Sequence, residues 1–358
     1  MSGRPLRLLV VCPSWVGDAV MATPTLHLLR RELPGAFIGG LVRPGIDQVL
    51  DGLGVFDEVH VERSSGIFGP KFVAAKVRPR RYDTALLLTN SFSTALVARI
   101  AGIPRRVGYD RDGRGFLLTD RIRPERREDG RWATVPACAY YWRAAWHLLQ
   151  SPDPATMLPP GEFLALQVTQ EQDRAAGAML ERAGIFPGER LALLNPGGND
   201  PAKRWPAGRF GQVAAHLARD RGFRVLVNAG PNEREVAAQV VASAGVEVVD
   251  LSGLGGNLGT LKGIVARCGV MVTNDTGPRH FAAALGVPVV GLFGPTDHRW
   301  TLIPTRPGAP EAIVTADPTL PETESANDHP KRCRIDRIEV DRVLGALESV
   351  LGGGCGAG

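Results

Sequence analysis

The sequence predicts an α/β protein built from two doubly wound parallel sheets. Three observations carry this. Short β-branched runs alternate with stretches of helical apolar spacing along most of the chain, and such alternation gives a parallel sheet with helices on both faces. The alternation breaks at 151–161, "SPDPATMLPPG", which is rich in proline and has no periodicity, so it reads as a linker. The length, 358 residues, suits two domains of roughly 100–200 residues each.

In the first half, "LRLLVVC" (6–12) reads as a strand and "DAVMATPTLHLLRREL" (18–33) as one helix. A strand at 36–42, a helix near 45–53, strands at 56–61 and 82–88, a helix near 92–101 and a strand at 105–109 follow. After the linker the series resumes. Strands at 189–195, 223–229, 246–251, 269–274 and 287–293 alternate with helices near 206–220, 232–244, 258–267 and 278–285. The proline-rich, polar stretch 305–332 reads as a long loop, 338–351 as an amphipathic helix, and "GGGCGAG" as a frayed tail. Two such sheets leave a cleft at their strand ends, where ligands commonly bind.

The bulk numbers narrow the function. With 44% hydrophobic and 22% charged residues the composition is that of a globular protein. No apolar run approaches the ~18 residues of a membrane span. "RLLVVC" is interrupted by Pro13 and Gly17–Asp18, so it reads as a strand and not a signal peptide. The five cysteines (Cys12, Cys138, Cys268, Cys333, Cys355) form no CxxC pair, so neither a disulfide framework nor a zinc site is indicated and buried thiols in a reducing cytoplasm are expected. Net charge is +5. The arginines cluster at 78–83, 104–115 and 121–131. Nucleic acid, an anionic membrane or a phosphorylated acceptor all suit such a surface, as does a plain solvated face. No helix-turn-helix or aromatic-interleaved pattern supports the first of these.

Four strand-to-helix turns carry candidate chemistry. In "CPSWVGDAV", Asp18 opens a helix; it suits a cap or a general base taking a proton from an attacking hydroxyl. In "NPGGNDPAKRWPAGRF" (195–210), a glycine-rich loop exposes backbone N–H groups suited to phosphate, with Lys203 and Arg204 as added cations. Asn199 sits in the same loop. No GxxxxGK[ST] occurs, which argues against a P-loop enzyme. In "NAGPNEREVAAQV" (228–240), Glu233 or Glu235 suits ribose hydroxyls, or simply the helix N-terminus. In "VTNDTGPRHFAAALGVPVVGLFGPTD" (272–297), Thr276 and Gly277 open a helix whose N–H groups suit an anion, and His280 follows one turn on. Alone, Asp275 would be a cap and His280 a half-buried histidine. "DLSGLGGNLG" (250–259) nearly spells a dinucleotide fingerprint, but its G-x-G-G-x-x-G spacing is wrong. It reads as a loop beside a nucleotide.

Together these motifs resemble the ADP-heptose:lipopolysaccharide heptosyltransferases of glycosyltransferase family nine. The resemblance spans nearly the whole chain, through "PSWVGDAVMATPTL", "LLTNSFSTALVARIAGIPRRVGY", "NPGG", "AKRWP" and "TNDTGPRHFAAALGVPVVGLFGPTD". "PSWVGD" and "NSFSTALVARIAGIPRRVGY" look most like members that add the second inner-core heptose. Two departures stand out: one cysteine, Cys333, where a cysteine-rich segment is common, and Arg279 where an apolar residue is expected.

The resemblance implies two Rossmann-like domains facing a cleft, the glycosyltransferase B architecture. Residues 1–160 would bind the acceptor and 161–337 the nucleotide sugar, with 338–358 packing back on the first domain. It implies inverting transfer without metal or cofactor, from ADP-heptose to a lipid A–Kdo–heptose acceptor of the lipopolysaccharide inner core. The enzyme would be cytoplasmic, peripheral at the inner membrane, with no nucleic-acid partner. By the family pattern Asp18 is the base and Lys203 contacts phosphate. Asp275, Thr276, Gly277 and His280 surround the diphosphate and heptose, with Asn199 nearby and Glu233, or Glu235, at the ribose. A sibling transferase with another sugar or acceptor, a non-catalytic nucleotide-sugar-binding module and an NAD-dependent dehydrogenase are the alternatives.

Overall fold

The computed structural model describes residues 5–62, 66–150, 158–304 and 306–352. The chain divides into two compact units, 1–165 and 166–358. Most of the proposed linker, 151–157, Thr305 and the last six residues with Cys355 lie outside the described residues.

The first unit runs β1 (Arg7–Val11), α1 (Val16–Met21), α2 (Thr23–Glu32), β2 (Phe37–Val42), α3 (Ile46–Leu50), β3 (Glu58–Val61), α4 (Gly69–Val77), β4 (Thr84–Leu87), α5 (Phe92–Ile100), β5 (Arg105–Tyr109), β6 (Asp120–Ile122) and α6 (Ala137–Leu148). Its sheet has the order β3-β2-β1-β4-β5-β6, and every pairing is parallel. The strand order reverses between β1 and β4, the point where such sheets open a crevice. Leu8, Leu9 and Val10 of β1 are fully buried, as a strand covered on both faces requires.

The helix expected over 18–33 is two helices. Pro24 is the cause: it has no N–H to donate, and its ring collides with the carbonyl four residues back. The Thr23 hydroxyl donates to Val20 O at 2.7 Å across the joint. The arginine-rich segments are not uniformly solvated. Arg114 is fully buried; its Nε donates to Tyr109 O at 3.1 Å and its Nη2 to Asn90 Oδ1 at 3.3 Å. Burial pushes its pKa down to about 10.

The second unit runs α7 (Gln170–Arg182), β7 (Leu191–Asn195), α8 (Ala207–Arg219), β8 (Arg224–Val227), α9 (Arg234–Ala244), β9 (Val248–Asp250), α10 (Leu258–Val265), β10 (Cys268–Asn274), α11 (Gly277–Leu285), β11 (Val289–Phe293), β12 (Glu311–Thr315) and α12 (Val340–Gly352). The order is β12-β11-β10-β7-β8-β9, again parallel throughout. Its reversal falls between β7 and β10, where Asn195 pairs with Thr273.

Two expectations change here. The loop read over 305–332 contains β12, an edge strand hidden in the sequence by Pro310 and Pro318 on either side. The last helix, expected to pack on the first domain, makes its main contacts with β11, β12 and α8. Val343, Leu347 and Val350 lie on one helical face and join the second unit's core. Burying side chains of this size stabilises by about 1.5–3 kcal/mol each.

Candidate active site

In the first unit Asp18 lies in the first turn of α1, beside the strand-order reversal. It does not cap the helix. Trp15 holds the N-cap position, in extended backbone, and no side chain closes it. Asp18 Oδ1 instead accepts a hydrogen bond from the Tyr141 hydroxyl of α6 at 3.2 Å. Tyr141 is buried. Burial first, and then the Asp18 charge, hold its phenol far above the ordinary range, so it is a fixed donor. A carboxylate with a buried hydroxyl donor beside it, and partly open to solvent, is suited to proton abstraction.

In the second unit β7 and β10 end on Asn195 and Asn274, Asn228 directly follows β8, and these three side chains lock the turns together. Asn228 Nδ2 donates to Asn195 Oδ1 at 2.9 Å. Asn195 Nδ2 donates to the hydroxyls of Thr276 at 3.0 Å and Thr273 at 3.3 Å. Asn274 Nδ2 donates to the carbonyls of Pro196 at 2.7 Å and Gly197 at 3.1 Å, and Asn274 Oδ1 accepts from Trp205 N at 3.2 Å. The loop 195–205 is therefore pinned against the end of β10.

On this frame Lys203 Nζ lies 3.2 Å from Asp275 Oδ2, and the Thr296 hydroxyl donates to the same oxygen at 3.0 Å. Thr276 is the N-cap of α11, but its hydroxyl is turned to Asn195 and makes no cap bond. The first amides of α11 thus stay uncovered by a side chain, next to an ammonium group. Backbone donors at a helix start beside a cation make an anion site.

His280, one turn into α11, is buried, and neither ring nitrogen has a partner among the described residues. Burial, and then the Arg279 cation, push its pKa down to about 3, while Asp275 and the backbone of Thr276 and Gly277 pull the other way. The ring is neutral at physiological pH and holds unused hydrogen-bonding capacity.

Arg279 is itself fully buried. Its Nε lies 2.5 Å from Glu311 Oε1, its Nη1 donates to the backbone and side-chain oxygens of Thr301, both at 3.1 Å, and its Nη1 lies 4.0 Å from Asp275 Oδ1. The partner that explains an arginine here, Glu311, sits on the strand that the sequence reading took for loop.

Glu233 faces the glycine loop. Gly198 N donates to its Oε1 at 2.6 Å and Gly230 N to its Oε2 at 3.0 Å, with the Arg204 guanidinium 3.6 Å away. A Cβ on Gly197 would stand 2.2 Å from that carboxylate, so a larger residue there would displace the Glu233 side chain. Glu235 is exposed, as is Asn199 at the tip of the loop.

The structure thus gathers Lys203, Asp275, Thr276, Gly277 and His280, and sets Glu233 against the same loop. Sequence reasoning missed Tyr141, Thr296 and the asparagine frame. The last had a signal, since "LLN", "LVN" and "VTN" end three apolar runs alike. Among the described residues, no group of three or more His, Cys, Asp or Glu side chains is placed to hold a metal ion.

Comparison with known proteins places the chain in a family. The family model described as glycosyltransferase family 9 (heptosyltransferase) matches residues 73–326. The chain is 29% identical to lipopolysaccharide heptosyltransferase 2 of Escherichia coli K12, over 83% of this chain and 85% of the relative. It is 27% identical to the Salmonella typhimurium protein of the same name, over 97% and 99%. The solved structure of E. coli ADP-heptose lps heptosyltransferase II superposes with a TM-score of 0.78 at 26% identity, covering 97% of this chain and 98% of that one. A family 9 glycosyltransferase from Veillonella parvula shares the fold with a TM-score of 0.81 at 23% identity, over 98% of each chain. With its two parallel six-stranded α/β units and a family match over most of its length, the chain belongs to glycosyltransferase family 9, the heptosyltransferases.

Proposed function

We propose that this enzyme moves L-glycero-D-manno-heptose from ADP-heptose to the heptose of the lipopolysaccharide inner core, with inversion at the anomeric carbon and without a metal. The observation that carries the reading is the Lys203–Asp275 contact at the open start of α11. A diphosphate seated there would take Lys203 and the amides of Thr276 and Gly277 as its donors. Preorganised donors of this kind stabilise a leaving group as charge develops on it. His280 supplies a neutral ring for a sugar hydroxyl, and Asn199 a polar group at the loop tip. Glu233 orders the glycine loop and, from the same place, would meet the ribose.

Asp18 is the general base. It takes the proton of the acceptor hydroxyl as oxygen bonds to C1 from the face opposite ADP, and the bond from C1 to phosphate oxygen breaks. Such a base contributes roughly 10²–10⁴-fold. The acceptor carries lipid A, so the reaction takes place at the cytoplasmic face of the inner membrane. No helix among the described residues is long and apolar enough to cross a membrane.

The test is a product assay. The full chain is incubated with ADP-heptose and a lipid A–Kdo–heptose acceptor, and the product is read by mass spectrometry. A gain of one heptose with release of ADP is expected. No gain with that pair, alongside turnover of another nucleotide sugar, rejects the assignment.

A further inference from the structure

Helix α4 turns apolar side chains in both directions. Gly69, Val73, Ala74 and Val77 are buried on its inner face, which accounts for its place in the fold. The opposite side is unexplained by packing. Ile67 is 93% exposed, Phe68 67% and Phe72 59%, three large apolar side chains within six residues. Phe68 and Phe72 are one helical turn apart, so they share a face.

The charge around them is one-sided. Residues 66–82 contain Lys71, Lys76, Arg78, Arg80 and Arg81 and no Asp or Glu. Arg80 is paired with Glu58 at 2.5 and 2.8 Å. Lys71, Lys76 and Arg78 are exposed, and Arg78 is fixed by a backbone carbonyl, that of Ile100, at 2.6 Å. Exposed apolar groups gathered in one place mark an interaction surface. Apolar side chains projecting from a helix rimmed by cations fit an anionic interface, where acyl chains accept the rings and headgroups pair with the ammonium groups.

We infer that the outer face of α4 and the turn that leads into it, with Ile67, Phe68, Phe72, Lys71 and Lys76, dock this enzyme on an anionic phospholipid bilayer. The inference rests on the proposed work at a membrane only for its setting, and vesicle binding tests it separately.

The experiment is co-sedimentation of the full chain with phosphatidylglycerol-containing vesicles and with pure phosphatidylcholine vesicles. Three proteins are compared: the natural chain, I67S/F68S/F72S and K71E/K76E. The natural chain is expected to sediment with the anionic vesicles, less so as salt is raised, and weakly with the neutral ones. Each variant should lower the anionic partition coefficient by about tenfold or more. Transfer to a soluble, acyl-free acceptor should be unchanged in both, with circular dichroism spectra like the natural chain's. Failure of the natural chain to sediment with anionic vesicles, or equal sedimentation of all three, overturns the inference. Vesicle binding without heptose transfer would support this face while rejecting the proposed function; transfer without vesicle binding would do the reverse.

Discussion

The hydroxyl of buried Tyr141 donates to Oδ1 of Asp18 at 3.2 Å, linking α6 to the helix that follows β1. A buried donor reaching the carboxylate fixes its orientation, which a proposed base needs in order to meet an acceptor hydroxyl. Asp18→Asn should lower kcat by roughly 10²–10⁴-fold with ADP binding near normal. Tyr141→Phe keeps the ring and removes only the donor. It should lower kcat with ADP binding near normal and an unchanged circular dichroism spectrum, because Asp18 is then held less firmly. A kcat equal to the natural chain's would remove Tyr141 from the site.

Lys203 is proposed to act at a different step. Its ammonium faces Asp275 and the start of α11, where it would neutralise diphosphate charge. Hydrogen bonds to charged groups are worth about 1.5–3 kcal/mol. Lys203→Ala should therefore weaken ADP-heptose binding about 10- to 100-fold, and Lys203→Arg by less. Titration calorimetry with ADP checks this. Unchanged donor affinity and rate in the alanine variant would remove Lys203 from the site.

Much of this was legible in the sequence because parallel sheets write themselves as apolar runs. Both strand-order reversals follow from that alternation, and the polar residues after β1, β7 and β10 sit at the two reversals. What escaped notice was set by contacts between distant segments. Tyr141 lies 123 residues from Asp18, and its helix, rich in tyrosine, tryptophan and alanine, has no charged outer face to frame its period. Glu311 pairs with Arg279 across 32 residues from an edge strand framed by prolines. Pro24 did carry a local signal, and it outweighed the apolar spacing that suggested one helix.

The Arg279–Glu311 pair yields a stability prediction. Both side chains are nearly inaccessible, and removing one partner of such a pair leaves an uncompensated buried charge. Arg279→Met should cost about 3–5 kcal/mol of unfolding free energy, measured by urea denaturation. The double variant R279M/E311L removes both charges and should recover most of that loss, since apolar replacements of buried pairs are often neutral. A single variant as stable as the natural chain would mean that water reaches the site and screens Glu311.

His280 gives the last prediction, and its sign is opposite to that of a histidine with an acidic partner. Burial holds its folded pKa at about 3, against an ordinary 6.5. Between those values the unfolded chain binds a proton that the folded chain refuses, so unfolding free energy falls as pH is lowered from about 6.5 towards 3. Above 6.5 both states are neutral and the contribution is flat. His280→Gln removes the titration, so the stability difference between the variant and the natural chain should change steadily through that window in the variant's favour. Denaturation curves at several pH values measure it. A pH-independent difference would mean that the ring is solvated and titrates normally, which would also withdraw the neutral, unpartnered imidazole proposed to meet the sugar.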